Sequence, residues 1–133
     1  MGKRIALIAL ALAVLAGGTV ILLLSLSSAD SDGGPLVEVP GGDAARGREL
    51  AESYGCATCH TIPGIRSAPK RVGPSLAGFA RRRFIAGDEP NTPRELIRWI
   101  RHPRRVEPGT AMPDLGVRAS EARDIAAFLY SKR

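Results

Sequence analysis

The chain is poor in cysteine. Its 133 residues hold two, Cys56 and Cys59. Beyond a single Cys56–Cys59 pair no disulfide framework is possible, which excludes the small disulfide-stapled folds. Aromatic residues are sparse as well, at 5% with one tryptophan, while glycine and proline number 15 and 10. A domain this small buries a low fraction of its surface, so such a supply makes a thin core. Acid is short too. From Gly41 onward there are 17 Lys/Arg against 10 Asp/Glu, a surplus of seven positive charges. A basic surface steers encounter with acidic proteins or anionic headgroups. No aromatics interleave these arginines to stack on bases, so nucleic acid is not an expected partner.

What is present begins with a long apolar run. Lys3 and Arg4 precede an uncharged stretch from Ile5 to Leu26, 22 residues in all. As a helix it is roughly 30 Å long, the thickness of a bilayer core. Residues 1–28 are therefore expected to be a membrane anchor, with residues 5–26 in the bilayer. A secretory signal cleaved near Ser27-Ser28-Ala29 is the alternative. Either way the positive flank stays in the cytoplasm and the rest crosses. Residues 29–42 carry Asp30, Asp32, Gly33, Gly34, Pro35, Pro40, Gly41 and Gly42 without helical or strand period, and are expected to be a flexible linker. Residues 43–133 are left as one domain.

The two cysteines sit in Cys56-Ala57-Thr58-Cys59-His60. A Cys-x-x-Cys-His run is the attachment signature of a c-type haem. Two sulfurs three residues apart lie on one side of a helical turn and can form thioethers to the two vinyl groups of one haem. His60 follows as the candidate proximal iron ligand. A haem would also add the large apolar body that the core lacks. Attachment of haem c in bacteria is periplasmic, which agrees with the crossing inferred from the N-terminus.

Helices are expected on both sides of the motif. Asp43 is the candidate cap of the first, through Ala44, Arg46, Leu50 and Tyr54 into the motif. Gly47 in its middle suggests a close crossing. Ser120 is the candidate cap of the last helix, with Glu121 in its first turn and Ile125, Phe128 and Leu129 as its apolar stripe. That stripe is expected to pack near Gly47 and Leu50. Thr92-Pro93-Arg94-Glu95 has the form of a capping box with proline at the first helical position, and Pro103 ends that helix. Trp99 lies on it.

Gly73-Pro74 offers a carbonyl for the second ring nitrogen of His60, since a ligating histidine usually donates there. For the sixth ligand, Met112 stands in the loop Pro108-Gly109-Thr110-Ala111-Met112-Pro113, and Met1 is the sole other methionine. A thioether opposite histidine raises the potential and suits electron transfer. His102 is the rival ligand and would give bis-histidine iron.

Taken in order, Cys56–His60, Val72-Gly73-Pro74, the Leu96–Trp99–Pro103 helix and Pro108–Pro113 resemble a class I cytochrome c. The resemblance covers residues 43–133. It implies an all-α fold, a small cytochrome c domain around one covalent haem c, here preceded by one transmembrane helix. It implies His60 and Met112 as axial ligands, with the Pro74 carbonyl on His60. Trp99 falls in the Met112-side pocket, and Thr110 near a propionate or the ligand loop. A nearer likeness is to the cytochrome domain fused to subunit II of some bacterial haem–copper oxidases. The chain departs from those subunits: it has no cysteines for a binuclear copper centre, and one span rather than a hairpin.

The function these features imply is one-electron transfer, by a carrier and not an enzyme. The expected place is a respiratory chain at a bacterial inner membrane, with the haem domain on the periplasmic side. The expected partners are a quinol-oxidising complex as donor and a haem–copper oxidase as acceptor. An integral haem subunit of a larger oxidoreductase is the alternative, ahead of a haem sensor or peroxidase and of a thiol–disulfide oxidoreductase using Cys56 and Cys59.

Overall fold

The computed structural model describes residues 37–67 and 72–132. The expected anchor, residues 1–28, lies outside the described residues, as do linker residues 29–36. Among the described residues no helix is long and apolar enough to cross a membrane.

Four α-helices order the described chain: α1 (Ala44–Ser53), α2 (Pro93–Arg101), α3 (Pro103–Val106) and α4 (Ala119–Tyr130). Single 3-10 turns at Cys56–Thr58 and Phe79–Arg81 lie between α1 and α2. One feature is not helical. Strands β1 (Phe84–Ile85) and β2 (Glu89–Pro90) pair antiparallel, Phe84 with Pro90 and Ile85 with Glu89. Two rungs are too short to show the alternation that reveals a strand in sequence.

Asp43 caps α1 as expected, its Oδ1 accepting the Ala45 and Arg46 amides at 2.9 and 3.1 Å. The start of α4 differs from expectation. Its cap is Arg118, two residues before Ser120. Glu121 is the reason: its carboxylate reaches back to accept the Arg118 amide at 3.0 Å and the Arg118 guanidinium at 2.6 Å. That satisfies an orphan donor of the first turn without a serine. In α2 the expected box is half made. Thr92 Oγ1 accepts the Glu95 amide at 3.3 Å. Glu95 does not reciprocate, because Arg94 and Arg98 draw its carboxylate to 2.9 and 2.8 Å. Pro103 ends α2 and opens α3 at once.

The core sits where α1 crosses α4. A Cβ at Gly47 would lie 1.9 Å from the Asp124 carbonyl oxygen, so only glycine lets these backbones meet. Ala51, Ala122 and Ala126 are fully buried around the crossing, with Ile125 and Phe128 beside them. Asp124 ties it further, accepting the Asp43 amide at 2.9 Å and pairing with Arg46 at 2.9 Å. The chain before Asp43 joins this packing. Val39 is 7% exposed, and a Cβ at Gly42 would lie 2.8 Å from the Ala127 Cβ. The described end of the expected linker is thus seated on the domain, because a thin core recruits whatever apolar residue is adjacent.

A second tie runs from α4 to the middle of the chain. The buried Tyr130 hydroxyl donates to Asn91 Oδ1 at 2.8 Å, and Asn91 Nδ2 donates to the Phe79 and Arg82 carbonyls, both at 3.0 Å. Burial pushes the Tyr130 phenol up to about 12.

Candidate functional site

α1 stops short of the Cys-x-x-Cys-His motif. Gly55, at φ +69°, turns the chain into the Cys56–Thr58 turn. The Thr58 amide and hydroxyl both donate to the Gly55 carbonyl, at 3.0 and 2.7 Å, and the His60 amide donates to Cys56 O at 3.0 Å. This tight winding brings both cysteines to one cavity as free, half-buried thiols. Burial pushes the Cys56 thiol up, so a thiolate is disfavoured there.

His60 is fixed on the chain that returns past it. Its Nδ1 lies 2.8 Å from the Pro74 carbonyl oxygen. A carbonyl only accepts, so Nδ1 carries the proton and Nε2 keeps its lone pair. The approach needs Gly73: a Cβ there would lie 2.3 Å from His60 Cε1. The Gly73 amide donates to Cys59 O at 3.0 Å and the Leu76 amide to Thr61 O at 2.7 Å, which locks the two segments together.

The third part of the wall is the loop after α3. Thr110 Oγ1 accepts the Met112 amide at 3.1 Å, fixing the methionine within the loop. Trp99 reaches the cavity from α2. No hydrogen bond from its indole N–H is found among the described residues. The rival histidine is elsewhere. His102 does not border the cavity, and its Nδ1 lies 3.7 Å from Asp114 Oδ2.

All seven residues singled out in the sequence, Cys56, Cys59, His60, Pro74, Trp99, Thr110 and Met112, border one cavity of about 400 Å³. Its wall is mostly apolar, and Val72 and Leu115 are exposed at its rim. Sequence reasoning missed several wall residues. Phe79 and Ile85 come from the 3-10 turn and the short ladder, neither of which has a sequence period. Arg82 stands between Arg81 and Arg83 in an arginine tract, yet it borders the cavity, donates to the Ser75 carbonyl and stacks 5.5 Å over the Phe79 ring. Tyr54 is expected on the first helix. It borders the cavity, and its hydroxyl donates to Glu121 at 2.7 Å. Arg118 and Tyr54 together hold the Glu121 carboxyl down to about 2.

Paired thiols, a free imidazole lone pair and a thioether around an apolar space fit a haem and little else. The fold and site are those of a c-type haem protein. Comparison with known proteins gives the family. The Cytochrome c family profile matches residues 44–132, and the chain belongs to that family. It is 31% identical to the cytochrome c of Tetrahymena pyriformis over 105 residues, covering 73% of this chain and 95% of that protein. It is 35% identical to cytochrome c2 of Rhodopila globiformis over 105 residues, 68% and 93%. It is also 36% identical over 70 residues to cytochrome c oxidase subunit 2 of Alkalihalophilus pseudofirmus, covering 53% of this chain and 20% of the subunit. The chain matches about a fifth to a quarter of the length of such subunits. As a member of the family it binds haem c covalently, with Cys56 and Cys59 as the cysteine pair present among the described residues.

Proposed function

We propose that this chain is a membrane-tethered, one-electron carrier of a respiratory chain, with His60 and Met112 as the axial ligands of its haem iron. The carrying observation is the shared cavity: His60, with Nδ1 committed to Pro74, and Met112 border the space that the two cysteines enter, whereas His102 does not. The haem supplies the iron that gains and loses one electron. The chain sets the terms. The Pro74 carbonyl orients the His60 ring and makes it more basic. The Met112 thioether and the apolar wall favour the reduced state. His60 and Met112 together would hold the iron and would leave no position on it open for substrate.

Residues 1–28 would hold the domain at the inner membrane on the periplasmic side. The oxidase-subunit likeness supports a haem–copper oxidase as acceptor, with a quinol-oxidising complex as donor. Stopped-flow mixing of the reduced protein with the oxidases of its host tests this, and no electron exchange with any of them would defeat it. The same likeness supports a second reading, a fixed haem subunit of an oxidase complex. Co-purification from solubilised membranes in constant stoichiometry would favour that reading over the free carrier. Substituting Met112 with alanine should leave the haem attached and lower its reduction potential. An unchanged potential would remove Met112 from the iron.

A further inference from the structure

One stretch, residues 79–87, gives the cavity wall Phe79, Arg82, Ile85, Ala86 and Gly87. It consists of a 3-10 turn and one strand of a two-rung ladder, too little regular structure to hold a shape by itself. Asn91, just past the ladder, supplies the hold. Its backbone amide donates to Arg83 O at 3.0 Å, and its Nδ2 donates to the Phe79 and Arg82 carbonyls, both at 3.0 Å. One residue thus joins the end of the excursion to its beginning.

The orientation of that side chain is fixed. Two carbonyls only accept, so both amide hydrogens are committed to them, and Oδ1 needs a donor from elsewhere. The Tyr130 hydroxyl is that donor, at 2.8 Å. Tyr130 also meets Phe79 directly, edge to ring, with centroids 5.7 Å apart. It is the fully buried last residue of α4, the helix that crosses α1. The crossing therefore grips Phe79 by its ring and by its carbonyl, through two residues that do not border the cavity. Other ties act on the rest of the stretch. Arg98 pairs with Glu89 at 2.9 Å, Ile85 is buried, and the Arg82 guanidinium donates to the Ser75 carbonyl. These seat the ladder and the Arg82 side chain, whereas Asn91 holds the backbone of the turn.

We propose that Asn91 and Tyr130 are positioning residues for the haem, which hold the wall of residues 79–87 against it and so keep its reduction potential high. The proposal rests on the haem occupying this cavity, and not on which residue is its sixth ligand. Two effects act in the same direction. Oxidised iron carries one more positive charge than reduced iron. Phe79 and Ile85 exclude the water that would solvate this charge, and the Arg82 cation repels it. A wall that loosens gives up both, and the potential falls.

The test is the reduction potential of the full-length holoprotein, read by equilibration with a soluble redox couple. Asn91→Ala removes both side-chain bonds to the turn. It should shift that equilibrium about two- to fivefold towards the oxidised protein, within the contribution of one hydrogen bond. Tyr130→Phe keeps the ring on Phe79 and loses the donor, so its shift should be smaller and of the same sign. In the Asn91→Ala background it should add nothing, since it acts through Asn91. Ile125→Val also loosens α4, at a buried residue that does not border the cavity, and should leave the potential at wild type. An unchanged potential in Asn91→Ala, an equal shift in Ile125→Val, or a Tyr130→Phe shift that persists in full without Asn91 would overturn the proposal. Should Asn91→Ala fail to take up haem, Tyr130→Phe decides: a lowered potential supports the clamp and an unchanged one overturns it. Phe79→Ala separates the clamp from the cavity. If that variant keeps the wild-type potential, the haem does not lie against this wall and both ideas fall. If it lowers the potential while the Asn91 and Tyr130 variants do not, the clamp alone is overturned.

Discussion

The frame of the domain and the Met112 loop contribute to one cavity by opposite means. The frame is the α1–α4 crossing together with the segments around His60. It is held by close approach at two glycines, Gly47 against the Asp124 backbone and Gly73 against the His60 ring, and by two main-chain hydrogen bonds across the returning strand of chain. The loop has short internal bonds, one loose polar contact through Asp114, and Val117 buried in the core at its end. Since both cysteines belong to the frame, a haem bonded there is part of the rigid half. With Met112 as the iron ligand proposed above, the loop would close over that haem and be held through Met112 more than by its own surroundings. The difference predicts that damage to the frame costs the fold, whereas damage to the loop costs the sixth ligand.

The largest effect should come from Gly47→Leu. The Asp124 carbonyl occupies the place of its Cβ, so the helices must separate. The cost should exceed about 3 kcal/mol, a large fraction of the stability of a small domain. Denaturant unfolding together with haem content per protein would show it. A Gly47→Leu protein with wild-type stability and full haem would break the comparison, because the frame would then be no more closely fitted than the loop.

A smaller effect, still in the frame, appears at the extremes of pH. Glu121 is held to about 2, against 4.5 for an ordinary carboxyl. As pH falls below about 4.5 the unfolded chain takes up this proton first, so the stability from Glu121 drains away and is gone below about 2. Tyr130 acts at the other end. Its phenol is raised to about 12 from 10.0, so above pH 10 the unfolded chain loses the proton first and stability falls until pH passes about 12. Unfolding curves of Glu121→Gln and Tyr130→Phe, subtracted from wild type, should each remove one limb. A Glu121→Gln difference that is flat between pH 2 and 5 would take the Tyr54–Glu121–Arg118 cluster out of the frame.

The frame and the loop also differ in how far sequence reveals them. The caps at Asp43 and Thr92, the crossing at Gly47 and the Gly73-Pro74 approach are short-range features. Each is a residue type at a fixed offset, and the structure bears out their placement. The cavity residues were legible because cysteine, histidine and methionine are so scarce that few assignments compete. What stayed hidden depends on contacts far apart in sequence. Glu121 moves the start of α4 from Ser120 to Arg118 because two partners, one of them Tyr54 just past the end of α1, converge on it. Arg82 leaves its arginine tract because Ser75 and Phe79 lie behind it. Val39 is in the core although proline and glycine surround it. No local pattern records any of these. The ladder at Phe84–Pro90 was unreadable for another reason, since two residues per strand carry no period.

The smallest effect sharpens the comparison most, because it is confined to the loop. Thr110 accepts the Met112 amide, and Thr110→Val keeps the shape while removing the acceptor. One neutral hydrogen bond contributes about 1 kcal/mol, or about a fivefold change in an equilibrium. If the loop opens as its own unit, that difference should appear in loop opening and not in global unfolding. The rate at which imidazole displaces Met112 from the ferric protein should rise about fivefold, while the denaturation midpoint stays within error of wild type. A drop in the midpoint with no change in the imidazole rate would mean that the loop unfolds only with the frame. The two halves of the cavity would then be one cooperative unit, and the weak bonding of the loop would have no bearing on how firmly Met112 is held.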